Sequence, residues 1–164
     1  ILVMGVAGSG KSSIGRLLAR AVGGRFIEGD AWHSNQNLQK MASGIPLNEE
    51  DRRPWLEILA NELSSTVENE ESVVLACSAL KKDHRERLRM GAPLLKTVWL
   101  HARDETLMER VDSRKGHFFS TTLITDQLAH LEPPKNCLKV DAELPMQDIL
   151  RFIVYEFGIP EYMG

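Results

Sequence analysis

Five short apolar runs, rich in β-branched residues, punctuate the chain: Ile1–Met4, Arg25–Glu28, Val73–Cys77, Thr97–Leu100 and Leu138–Val140. Each has the length and composition of a strand. Between them the apolar period changes. Ile14, Leu17, Leu18, Ala21 and Val22 recur at i, i+3, i+4, i+7 and i+8, one face of a helix that Gly23-Gly24 then stops. A second helix is predicted from Pro54 to Val67, with Trp55, Ile58, Leu59 and Leu63 as its stripe and Pro54 suited to a first helical position. Further helices are predicted at Lys81–Met90, Asp104–Ser113, Thr122–Leu131 and Met146–Phe157. Strands alternating with helices predict an α/β fold, a three-layer sandwich around a five-stranded, mostly parallel sheet.

Two polar stretches interrupt the alternation and read as irregular insertions, Ala31–Arg53 after the second strand and Arg114–Thr121 before a late helix. Ligands of open α/β sheets bind outside the carboxyl ends of the strands, so the first is expected to cover a substrate and the second to act as a lid. At 164 residues, with no internal repeat or low-complexity linker, one domain is expected.

Composition narrows the partners. The chain is 43% hydrophobic and 26% charged, and no apolar run approaches the ~18 residues of a membrane span. A net charge of −3 argues against a nucleic-acid footprint, which needs a strongly basic face. Small anionic partners fit if local cations gather them. Cys77 and Cys137 form no CxxC pair, and the histidines show no metal-ligating spacing, so a reducing, cytoplasmic compartment is expected. The chain opens on Ile1, which leaves a targeting segment upstream an open question.

The candidate chemistry begins with "GVAGSGKS", Gly5–Ser12, directly after the first apolar run. It fits G-x-x-x-x-G-K-[ST], with a strand before it and a helix after it. Glycines let the loop curl so that backbone N–H groups point inward, and the helix adds its positive N-terminal end. Gly8, Ser9, Gly10, Lys11, Ser12 and Ser13 are therefore expected to cradle ATP, with Lys11 on the β- and γ-phosphates and the Ser12 hydroxyl on Mg²⁺. A guanine-reading N-K-x-D and a γ-phosphate-sensing D-x-x-G are both absent, which excludes a GTPase switch. The third strand ends in Ser78-Ala79 rather than in an acidic motif, unlike a mechanical ATPase. A small-molecule kinase needs neither device, only an acceptor hydroxyl in line and cations over the phosphates.

Asp30 closes "FIEGD" at the carboxyl edge of the second strand, where a carboxylate would orient an acceptor hydroxyl, take its proton or reach Mg²⁺ through water. His33, Lys40 and Arg52 in the insertion, with Lys81 and Arg85 after the third strand, supply donors for a hydroxyl-rich anion.

Four blocks, "GVAGSGKS", "GDAWHSNQNLQKMASGIPLNEEDRRPWL", "CSALKKDHRERLR" and "RKGHFFSTTLITDQLAHLEPP", follow in an order that closely resembles the gluconokinase family of P-loop carbohydrate kinases. That resemblance implies a nucleoside-monophosphate-kinase-like fold and transfer of a phosphoryl group from ATP to D-gluconate. It implies that Asp30 faces the C6 hydroxyl and that His33, Lys40, Arg52, Lys81 and Arg85 form the substrate side. It also implies that Arg110, Arg114 and His117 belong to a lid over the transferring phosphate, and that homodimers occur. The chain departs from the family pattern at three places: Ser34 after His33, His84 before Arg85, and Asp126-Gln127-Leu128 after the lid. None removes a charged group from the set. Two readings stay open beside it, a P-loop kinase for another small hydroxy acid such as shikimate, and a nucleotide-binding regulatory protein without turnover.

Overall fold

The structure is a computed structural model that describes residues 1–113 and 121–160. Five strands, β1 (Leu2–Met4), β2 (Arg25–Glu28), β3 (Val73–Ala76), β4 (Thr97–His101) and β5 (Leu138–Asp141), form one sheet in the order β2-β3-β1-β4-β5, every pair parallel. Helices cover both faces, so the central strands read as unbroken apolar runs rather than as an alternation. The pleat sorts β1 to two sides. Leu2 and Met4 pack with Leu75 against Leu56, Leu59, Leu63 and Leu88, while Val3 packs with Val74, Val98 and Leu100 against Ile14, Leu18, Ile149 and Ile153. The three-layer sandwich expected from the periodicity is what these two cores hold together.

The helices are α1 (Lys11–Ala21), α2 (Asn35–Ala42), α3 (Glu49–Glu68), α4 (Lys82–Gly91), α5 (Asp104–Asp112), α6 (Thr121–His130) and α7 (Met146–Glu156). Gly23, at φ +61°, donates to the Arg20 carbonyl and Gly24 to that of Ala19, a Schellman stop at the end of α1. Two expectations are corrected. The stretch 31–53 is not irregular: a 3-10 turn at Gly29–Trp32 leads into α2, whose start Ser34 caps by accepting the Asn37 N–H at 3.1 Å. Pro54 is not a first helical residue either. A capping box between Asn48 and Asp51, at 2.8 and 3.0 Å, starts α3 five residues earlier, and Pro54 sits inside it. Two reciprocal bonds satisfy orphan N–H groups, which outweighs the single ladder bond that Pro54 cannot make.

Strand order places the phosphate loop. β1 lies between β3 and β4, and the chain leaves it toward β2 on one side and later toward β5 on the other. The loop after β1 thus opens onto the switch point of the sheet, where α/β folds hold ligands.

α3 and α4 approach so closely that a Cβ on Gly91 would overlap the Ala60 carbonyl oxygen. Backbone cannot yield there as a side chain would. Gly91→Ala is expected to cost about 2 kcal/mol and to lower Tm by about 4–8 °C in thermal denaturation.

Candidate active site

The phosphate loop has the backbone its glycines predict. Gly8 and Gly10 adopt φ +83° and +91°, and Gly10 opens α1 with no side chain capping it. A Cβ on Gly10 would meet open space, whereas one on Gly8 would strike the Leu107 carbonyl 2.8 Å away. Gly10 thus contributes no side-chain cap to the first turn of α1, and the helix dipole adds its positive end there. This concave array fits a polyphosphate. Lys11 Nζ donates to the Val6 carbonyl at 3.1 Å, folding back along the loop. Buried Ser9 packs its hydroxyl beneath the loop beside Gly5.

A cleft runs from this loop to the turn after β2. Lys11, Asp30, His33, Arg52, Asp126 and Gln127 line it, so four elements distant in sequence meet there. The 3-10 turn brings Asp30 and His33 over the sheet edge. Trp55 on α3 fixes that turn: its Nε1–H donates to the Gly29 carbonyl at 2.8 Å, and its ring stacks on His33 with centroids 4.0 Å apart. On the far side of the loop a second groove takes in Gly8, Ser9, Gly10, Ser13 and Arg110 with the apolar Leu144 and Met146. Arg110 donates to the Ala142 carbonyl at 2.9 Å and to that of Gly8 at 3.4 Å, bracing the loop from β5.

The expected cations separate into two groups. Arg52 reaches the cleft, but Lys40 and Lys81 do not line it. Lys40 Nζ sits between both oxygens of Asp51 at 2.8 and 2.9 Å. Glu49 receives Lys81 at 2.9 Å, Arg52 at 3.2 Å and His84 Nε2 at 3.0 Å. Arg85 turns away altogether: it is 4% exposed and donates to the carbonyls of Ala79, Leu80 and Glu132 at 2.8–2.9 Å. Arg114 and His117 lie outside the described residues.

The pairing shifts these groups in predictable directions. Burial pushes the Glu49 carboxyl up, but the hydrogen bonds and charges of Lys81 and His84 outweigh it and bring it down to about 2. The Lys40 hydrogen bond, with that of the Asn48 N–H, lowers Asp51. Burial lowers His84 against the pull of Glu49. Its Nδ1 accepts the Lys81 N–H at 3.4 Å, so a neutral ring donates from Nε2 to Glu49. Burial likewise brings His33 down to about 4, with Asp30 opposing and Arg52 assisting.

Two site residues escaped the sequence reading. Gln127 Oε1 accepts the Ala7 N–H at 2.8 Å, tying α6 to the phosphate loop across 120 positions. Asn37 is 5% exposed and bonds both Asp51 and His33. Its only sequence signal was its place four residues after His33, on one face of a helix hidden in a polar stretch.

A parallel sheet in this order, a glycine loop leading into α1 and a carboxylate facing it across a cleft define a P-loop phosphotransferase. A family model described as an AAA domain matches residues 1–134. The thermosensitive gluconokinase of Escherichia coli (strain K12) is 42% identical, over 82% of this chain and 72% of its own. Among solved structures, a gluconokinase from Sinorhizobium meliloti 1021 superposes with a TM-score of 0.86 at 43% identity, covering 96% of this chain and 90% of that one. A sugar kinase from Janibacter sp. HTCC2649 superposes at 0.91 and 36% identity, covering 96% and 93%. The chain belongs to the gluconokinase family of P-loop kinases.

The depressed His33 value has a consequence for stability. The unfolded ring takes its proton near the ordinary 6.5 and the folded ring only near 4, so the folded state binds fewer protons between these limits. The contribution of neutral His33 is fully present above about 6.5 and is lost as pH falls toward 4. Imidazole NMR titration of the folded protein should show the His33 ring protonating near 4, and denaturant midpoints should decline over the same interval.

Proposed function

We propose that the protein transfers the γ-phosphoryl group of ATP to the C6 hydroxyl of D-gluconate, giving 6-phospho-D-gluconate and ADP. The observation that carries this reading, in a chain of this family, is the cleft in which Lys11 of the phosphate loop faces Asp30, His33 and Arg52.

The two ends of that cleft suit the two reactants. Gly8, Ser9, Gly10, Ser12 and Ser13 hold the ATP phosphates through backbone N–H groups, and Lys11 swings from Val6 onto the β- and γ-oxygens. The groove beyond Gly10, where Leu144 and Met146 meet Ser13 and Arg110, takes the nucleoside. Ser12, which follows Lys11 in the loop motif, would hold Mg²⁺, and the bound ion would neutralise phosphate charge that otherwise repels an anionic acceptor. Asp30 accepts the C6 hydroxyl proton in a hydrogen bond and aims the oxygen at the γ-phosphorus. Arg52 lines the cleft on the insertion side and pairs the gluconate carboxylate. Lys40 and Lys81 support it indirectly through Asp51 and Glu49, and Arg85 holds the segment between β3 and α4 in place. Arg114 and His117, expected over the transferring phosphate, complete the proposed set. A cytoplasmic homodimer of single-domain chains is part of the same reading. Among the described residues no helix is long and apolar enough to cross a membrane.

A loose phosphoryl-transfer transition state depends on positioning and positive charge more than on a strong base. Lys11→Ala should therefore lower kcat by about 10²–10³-fold or more. Asp30→Asn keeps the shape and removes the charge, so kcat should fall about 10²-fold while the ATP dissociation constant barely moves. The deciding assay is coupled ADP release at fixed Mg·ATP with D-gluconate, other C6 sugar acids, shikimate, nucleoside monophosphates or no acceptor. Turnover with gluconate well above the rest is expected; equal rates with shikimate or a nucleotide, or silence with every acceptor while ATP still binds, would overturn the proposal.

A further inference from the structure

We infer that Asn37 fixes His33 as a neutral donor with its Nε2–H on the cleft side of the ring, and that this donor reads a hydroxyl oxygen of the polyhydroxy acid beside Asp30. The identity of the acceptor rests on the functional reading above. The state of the ring does not.

The assignment starts from the Asn37 amide. Its Nδ2 lies 2.9 Å from the Asp51 carbonyl oxygen, which can only accept, so this end of the amide is the NH₂. The same Nδ2 lies 3.3 Å from His33 Nδ1. An amide NH₂ offers no lone pair, so Nδ1 must accept. A ring that accepts at Nδ1 is neutral and carries its proton on Nε2. Asn37 is also held through its backbone, whose N–H is bonded to Ser34 Oγ at 3.1 Å. Trp55 keeps the ring in plane at a 20° tilt. Burial, which disfavours the imidazolium, acts in the same direction.

A neutral ring matters because of what surrounds it. Among the described residues, Asp30 from the turn, Arg52 from α3, Lys11 from α1 and Asp126 from α6 are the charged groups that line this part of the cleft. An imidazolium here would pair with Asp30 and cancel the charge that orients the acceptor. A neutral N–H leaves Asp30 an anion and sets a donor next to an acceptor. A hydroxyl, which both gives and takes a hydrogen bond, matches that pair. A carboxylate does not, because Asp30 repels it. Asn37 is then a positioning residue, and His33 a specificity-determining one.

The first test needs no substrate. Long-range ¹H–¹⁵N correlation of the histidine rings in the wild-type protein near pH 7 should show His33 as the Nε2–H tautomer; an Nδ1–H tautomer or an imidazolium would overturn the assignment. In Asn37→Asp a carboxylate accepts where the amide donated, which draws the proton to Nδ1 and leaves Nε2 without one. The gluconate KM should then rise by about tenfold or more with the KM for Mg·ATP unchanged, and kcat/KM should gain a pH dependence between about 5 and 8 absent from the wild type. An altered tautomer with an unchanged gluconate KM and pH profile would overturn the hydroxyl-reading role. Because Asn37→Asp also removes the donor to the Asp51 carbonyl and sets a carboxylate against it, a second pair guards against misfolding. His33→Gln, which keeps a side-chain N–H, should hold the gluconate KM within about threefold, and His33→Leu should raise it about tenfold; equal effects would overturn the proposal. Failure of the wild type to use gluconate would sink the acceptor assignment alone, since the ring's tautomer is measured without it.

Discussion

The Trp55 indole donates to the Gly29 carbonyl at 2.8 Å while its face lies against His33, and the acceptor side of the cleft hangs from these two contacts. Gly29 is pressed against β3, where a Cβ would come within 2.6 Å of the Ala76 carbonyl. The turn that presents Asp30 is thus pinned between a strand below and an indole beside it. Trp55 is itself 3% exposed and set in the core with Leu56 and Leu59. A shift of α3 therefore moves Asp30 and His33 together, and the geometry of the acceptor side is as rigid as the packing of that core.

Charge on this side is organised by the first turn of α3. Glu49 and Asp51 sit at its positive end, where the helix dipole favours carboxylates, and between them they hold Lys40, Arg52, Lys81 and His84. Partly exposed pairs of this kind contribute little to folding, typically about 0–1 kcal/mol each. Their effect is orientation. Lys40 and Lys81 face their carboxylates outside the cleft, while Arg52, held by Glu49, also lines it, with the phosphate-loop lysine among the other lining residues.

What was legible in the sequence was local. The glycine loop declared itself because its function constrains backbone N–H groups within eight consecutive residues, and the strands and α1 because their periods are set by immediate neighbours. Element bounds came within about a residue at β1 and β4. Errors gathered where a distant or subtle partner decided the matter. α2 hid in a polar stretch because it is short and buries only Asn37 and Met41. Pro54 drew attention from the Asn48–Asp51 box that starts α3. Arg85 sits in a basic run that reads as solvated or substrate-facing, yet the Glu132 carbonyl, 47 residues on, claims its guanidinium. No spacing rule reaches that far.

The same long range explains how the two ends of the site are joined. The Ala7 N–H of the phosphate loop donates to Gln127 on α6, and Asp126 beside it lines the acceptor cleft. Phosphate loop, acceptor turn and α6 therefore share one wall. His33 completes that wall from the insertion through a chain of hydrogen bonds from the Asp51 carbonyl through Asn37 to its ring. The Asp51 carbonyl can only accept, which fixes the Asn37 NH₂ as a donor, and the imidazole at the end of the chain takes its sense from that amide. Polarity on this side is thus set by packing around Asn37 and Trp55, and burial, which brings the His33 ring down to about 4, keeps that ring neutral at neutral pH.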